Sequence, residues 1–351
     1  MRRHFPLLTA LAAVTATAAT IGFAVPGAGA DTWGGGPGLP RQVFAPYFET
    51  YDTTGGSPAT LARESGARYL SLAFLQTAQA GSCTAYWNGD TSMPIASSSF
   101  GSDIAAIQAA GGNVIPSFGG YAADTTGTEL ADSCTSVPAI AQVYEQVITT
   151  YHVPRIDLDI EGTSLTDTAG INRRNEAVAQ VEAWAAARGR RIQFSYTLPT
   201  PTTGLDPADD ALLENAVADH ARIATVNLLT FDYYIGTEQN MLTDTETAAS
   251  GTYHELQSLF PGESSARLWH MIGITEMPGI DDFGPDETFT QADAVAVLNW
   301  AQRAGIGTLS FWALQRDNGG CPGTKGAGNC SGLQQPTWYF SHVFEPFTRW
   351  R

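Results

Sequence analysis

RIDLDIEG, residues 155–162, sets Asp157, Asp159 and Glu161 at every second position, with Ile156, Leu158 and Ile160 between them. Successive side chains of a β-strand point to opposite faces, so a strand here carries three carboxyls in a row and backs them with three branched aliphatics. Neighbours on one face stand only about 6–7 Å apart. Like charges that close in a partly dry site raise one another's pKa. The cost implies a use, and the rest of the chain says where the row stands.

Seven further stretches read as strands: 42–50, 69–77, 113–120, 191–200, 224–234, 268–277 and 307–317. Helical patterns lie between them at 104–110, 137–151, 173–189, 211–222 and 291–305, the last ending at Gly305 as a helix C-cap does. Helices alternating with buried strands favour right-handed crossovers and a parallel sheet. Eight such units predict a single-domain (β/α)8 TIM barrel over residues 41–351 rather than a doubly wound sheet. RIDLDIEG is then the fourth strand, with Glu161 at its C-terminal end, the rim where barrel enzymes build their sites.

The ends and the composition bound the rest. Arg2, Arg3, an apolar run from Leu7 to Val25 and the Ala28-Gly29-Ala30 triplet fit a secretory signal peptide over residues 1–30. A Gly/Pro-rich lead-in, residues 31–40, follows. Losing Arg2 and Arg3 takes the formal charge from −17 to −19, which argues against nucleic acid or an anionic membrane as partner. Four cysteines, Cys83, Cys134, Cys321 and Cys330, suit an oxidising, extracellular destination. Three pairings are possible. The Gly-rich loop between Cys321 and Cys330 favours a local bridge, and Cys83–Cys134 follows by elimination. CxxC spacing is absent, which weighs against zinc. His152, His220, His254, His270 and His342 stand apart, without metal-ligand spacing.

Three uses of the carboxyl row compete. A calcium site needs turn residues where Ile and Leu stand here. A solvated acidic face has no place on a central parallel strand. Glycoside hydrolysis remains: a carboxylic acid must hold its proton near neutral pH to give it to the departing oxygen, and crowded, partly buried carboxyls do that.

At these residues the chain resembles family 18 of the glycoside hydrolases, the chitinase family. DLDIE is similar to the DxxDxDxE strand of that family, and Ser117–Gly120 (SFGG) to its SxGG on strand three. LLTFDYY (228–234) resembles the end of strand six, and LSFWALQRDN (309–318) the segment of strand eight whose tryptophan floors the sugar site. The four occur in order and span essentially the whole mature chain.

The resemblance implies a secreted, retaining endo-chitinase that uses neither metal nor cofactor, acts as a monomer, and takes chitin or chitooligosaccharides. Glu161 is implied as general acid and base. Asp159 would hold the acetamido N–H, with the substrate's own N-acetyl oxygen as nucleophile; Asp157 would share a proton with Asp159, with Ser117 as its partner. Trp312 is implied as the plate under the sugar, Tyr47 as a second, and Asp232 and Tyr233 as contacts to the N-acetyl group or the next sugar. Trp312 and Tyr47 also fit plain barrel core. The pattern departs at Pro154 and Arg155, where the family has Asp and Gly, and at Phe231, where it has a tyrosine; Tyr233 is the candidate to supply that hydroxyl. An endo-β-N-acetylglucosaminidase acting on N-glycans, and a catalytically silent glycan binder, are the other readings. Retention of Glu161 argues against the binder.

Overall fold

The computed structural model describes residues 38–348; the expected leader and most of the lead-in lie outside them. Eight parallel strands form one sheet. We number them β1 (Val43–Phe44 and Tyr47–Glu49, in two segments), β2 (Tyr69–Thr77), β3 (Asn113–Gly119), β4 (Arg155–Asp159), β5 (Gln193–Pro199), β6 (Ile223–Leu229), β7 (Ile272–Glu276) and β8 (Thr308–Phe311). Each strand pairs with the next, and β1 closes the ring. Its first segment pairs with β8 and its second with β2. The barrel that the alternation predicts is therefore what forms.

The β4 alternation resolves as the chemistry requires. Ile156, Leu158 and Ile160 are fully buried in the main hydrophobic core between sheet and helices. The odd-numbered side chains face the barrel interior, where registered neighbours are hydrophilic: Ser117 of β3 and Ser195 of β5 flank Asp157, and Thr197 of β5 flanks Asp159. The strand stops at Asp159, yet the chain stays extended through Ile160, whose N–H donates to Thr197 O at 2.9 Å. Glu161, at φ −134° and ψ 177°, keeps the row in phase before a 3₁₀ turn at Gly162–Leu165.

Three expected strands are much shorter than read, among them 307–317, which ends at Phe311 ahead of a 3₁₀ turn at Leu314–Arg316. The stretch 268–277 begins as a helix, Ser265–His270, because Ser264 caps it by accepting from Arg267 N–H; β7 starts only at Ile272. The stretch 224–234 ends at Leu229, where the chain turns through left-handed conformations at Asp232 and Tyr234. One long helix, Met241–Leu259, escaped the hydrophobic pattern. Its buried face is built of Met241, Thr245, Ala248, Ala249, Thr252 and Leu256, too polar to show a clear stripe. Gly251 lies within it because a Cβ there would stand 2.0 Å from Thr203 O. Both disulfides pair as read, Cys83 with Cys134 and Cys321 with Cys330. Among the described residues no helix is long and apolar enough to cross a membrane.

Candidate active site

The carboxyl row stands at the C-terminal rim, and each member has a different environment. Asp157 is deepest. Its Oδ2 accepts from Tyr47 Oη at 2.8 Å and Ser117 Oγ at 2.7 Å. Its Oδ1 accepts from Ser195 Oγ at 2.6 Å and Thr197 Oγ1 at 2.8 Å. Four hydroxyls from β1, β3 and β5 thus occupy both oxygens. Asp159, 3% exposed, differs: its Oδ1 is buried without a hydrogen-bond partner. Burial, then the charges of Glu161, Asp157 and Asp124, push it well above the usual carboxylate range. Its surroundings therefore favour the protonated form, and Oδ1 is left free to meet a substrate. Glu161, half-buried at the mouth, is raised by burial to about 7, against a hydrogen bond from the Tyr121 main chain.

The glycines of SFGG have a steric reason. A Cβ on Gly119 would lie 2.0 Å from Asp159 O, and one on Gly120 2.6 Å from the Phe74 ring. Only glycine lets β3 approach β4 this closely while the chain turns at positive φ into the helix Tyr121–Thr126. That helix brings in a residue the motifs do not mark. Asp124 is fully buried, and its Oδ2 accepts the Glu161 N–H. Burial, then Glu129, raises its carboxyl to about 9. It fixes the backbone of the acid rather than reaching the substrate.

Trp312 follows β8. Its ring stacks on Phe74 (5.5 Å between centroids, 17° between planes) and leans on Tyr47 at 5.6 Å. Since Tyr47 donates to Asp157, the half-buried Trp312 plate and the row form one constellation. Aromatic exposure is also concentrated at this end. Of five exposed large apolar side chains among the described residues, Tyr51, Tyr121, Tyr234 and Ile235 all stand on the loops after β1, β3 and β6.

The end of β6 is arranged differently from the sequence expectation. Asp232 stays at the rim, its N–H donating to Asp281 Oδ2 at 3.0 Å and its Oδ1 accepting from Asp282 N–H at 3.1 Å. Burial, then Asp281 and Asp282, raise it to about 8. Tyr233 does not join it. Its ring packs on the main core, and its hydroxyl lies buried beside Glu276, Asp244 and Thr245, against the helix Met241–Leu259. The left-handed turn at Asp232 reverses the alternation that would have sent Tyr233 inward. The hydroxyl missing at Phe231 is not supplied by Tyr233; the next tyrosine, Tyr234, is 61% exposed at the rim. Among the described residues no group of three or more His, Cys, Asp or Glu side chains is disposed to hold a metal ion. The chemistry available is proton transfer from Glu161 and hydrogen bonding by Asp159.

No family model matches the chain. Individual proteins do. It is 34% identical over 321 residues to the probable bifunctional chitinase/lysozyme of Escherichia coli K12, covering 88% of this chain and 35% of that protein. It is 33% identical over 288 residues to Endochitinase 11 of Metarhizium anisopliae, covering 79% of this chain and 53% of that one. The chain thus spans about a third and about half of these two relatives. The catalytic domain of the hyperthermophilic chitinase of Pyrococcus furiosus superposes with a TM-score of 0.77 at 29% identity, over 90% of this chain and 97% of that domain. Catalytic-site mutants of active domain 2 of the Pyrococcus enzyme have been crystallised with chito-oligosaccharides.

Proposed function

We propose that the chain is a family 18 glycoside hydrolase, a secreted, retaining endo-chitinase cutting β-1,4 linkages between N-acetylglucosamine units; its likeness to proteins named as chitinases supports this. The observation that carries this reading is the graded row: an anchored Asp157, an Asp159 with an unused oxygen whose acidity is lowered by burial and its neighbours, and a Glu161 raised to about 7. Relatives named as chitinases support the substrate class, and two disulfides suit an extracellular enzyme.

The steps follow from the positions. Sugar at the cleavage site lies on the Trp312 plate with its acetamido group over Asp159. Glu161 gives its proton to the glycosidic oxygen as the bond from C1 breaks. The acetamido carbonyl oxygen bonds to C1 from the other face, closing an oxazolinium ring. Asp159 accepts the acetamido N–H and passes its own proton to Asp157 as one of that residue's hydroxyl partners turns away. It becomes a carboxylate that offsets the ring's positive charge, and the proton returns when the ring reopens. Glu161, now a carboxylate, takes a proton from water as that water attacks C1, breaking the bond from C1 to the acetamido oxygen and reopening the ring to the acetamide. Two inversions leave the configuration unchanged.

Proton NMR of a chitooligosaccharide digest in its first minutes tests the reading. The new reducing ends are expected as the β-anomer, appearing at internal linkages. Initial α-anomer would rule out double displacement, and intact oligomers would favour a binder. The acidity of Glu161 gives a second expectation. The acid must be protonated in the free enzyme, so kcat/KM on a neutral oligomer falls as pH rises through about 7, tending to one decade per pH unit. A profile flat to pH 9 would place the acid elsewhere.

A further inference from the structure

The opposite end of the barrel carries a second feature. A cavity of about 510 Å3 opens there between the N-terminal ends of β4, β5 and β6 and the turns leading into β7 and β8. That volume is in the range of small-molecule pockets, about 300–1,000 Å3. Its charge runs against that of the chain. Arg155, Arg191, Arg222 and Arg267 line it, opposed by only Glu182 and Glu263, in a protein of formal charge −17. One acid is already spent, because Glu182 pairs with Arg222 at 3.1 Å.

Two groups at the cavity have donor capacity the protein leaves unused. Arg155, only 8% exposed, donates from Nε and Nη2 to Gln193 Oε1 at 3.0 and 2.8 Å and from Nη1 to Thr308 Oγ1 at 3.1 Å. A guanidinium has five N–H donors, so two of Arg155's have no acceptor among the described residues. His270, isolated in the sequence, lines this cavity as His220 does, and its Nδ1 is buried without a partner. Burial, then Arg267, Arg41 and Arg155, hold its imidazole neutral, with a pKa lowered to about 4. The local field is cationic enough to repel a further proton.

We propose that this closed-end cavity is an oxyanion site that takes a phosphate group, free or carried on a small ester. The planar forks of Arg155 and Arg267 match phosphate oxygens in pairs, and a neutral His270 protonated on Nδ1 adds a third direction of donation. A bound dianion relieves the mutual repulsion of the arginines, so its signature is stabilisation of the folded chain.

The test uses the full chain in sodium chloride, inorganic phosphate or glucose 6-phosphate at pH 7 and equal ionic strength, followed by calorimetric unfolding and titration. Either phosphate is expected to raise Tm by a saturating increment of about 2–6 °C over chloride, with a one-site isotherm. Tighter binding of the ester identifies an esterified ligand, and equal binding the free ion. The variant Arg191→Gln/Arg267→Gln, altered only at the cavity mouth, should lose at least tenfold in affinity while hydrolysing chitooligosaccharides in chloride as before. A Tm that follows ionic strength alone, an isotherm that does not saturate, or a double variant that keeps the gain would each overturn the assignment.

Discussion

Glu161→Gln is expected to lower turnover of a chitooligosaccharide by about two to four decades, the usual size of a general-acid contribution. The substitution keeps shape and hydrogen-bonding capacity but removes the proton that the leaving oxygen needs. Nothing in the fold depends on the charge. Glu161 sits past the end of β4, and it is its backbone, not its carboxyl, that Asp124 anchors. Unfolding temperature and affinity for a short oligomer should therefore stay close to those of the native chain. Because the same carboxylate later serves as base toward water, neither half of the reaction escapes the loss. A loss below tenfold, measured under saturating substrate, would mean that another group protonates the leaving oxygen.

Asp159→Asn is the second large effect, about two to three decades, the range for removing one pre-positioned stabiliser of developing charge. The asparagine oxygen still accepts the acetamido N–H, so the sugar binds and KM changes little. What is lost is the ability to become a carboxylate while the ring carries positive charge, a form the amide does not have. Burial and the neighbouring carboxyls already disfavour the charged form of Asp159, so an uncharged amide of the same shape should cost little stability. The drop therefore belongs in kcat. A variant with kcat intact and KM raised many fold would show that Asp159 only holds the substrate.

The sequence carried a good deal of this, and the reasons are local. Period-two alternation in residues 155–162 sets which side chains enter the barrel, because a one-residue slip would bury charge against helices and turn Ile156, Leu158 and Ile160 toward the cleft. The Ser117–Gly120 motif was legible for a similar reason: glycine is required wherever two strands approach this closely. Ser195 and Thr197 were missed, although a signal existed. They alternate with Phe194, Tyr196 and Leu198 on β5, the same inward-polar pattern as β4. Asp124 gave no signal, since it lies 37 residues from Glu161 and only the turn after Gly120 brings it there. Tyr233 failed as an expectation because strand period was extended past Leu229, where the backbone leaves the β region. His220 and His270, unremarkable 50 residues apart, line one cavity only once the barrel closes.

The proposed mechanism needs an amide of the substrate as nucleophile, and digestion of partially deacetylated chitosan puts that to the most direct test. Sequencing the new reducing ends is predicted to find N-acetylglucosamine at every one of them, since a glucosamine unit in the cleavage subsite has no carbonyl oxygen to close the ring. Reducing-end glucosamine at the frequency it has in the polymer would contradict the mechanism, whatever the rate of cleavage.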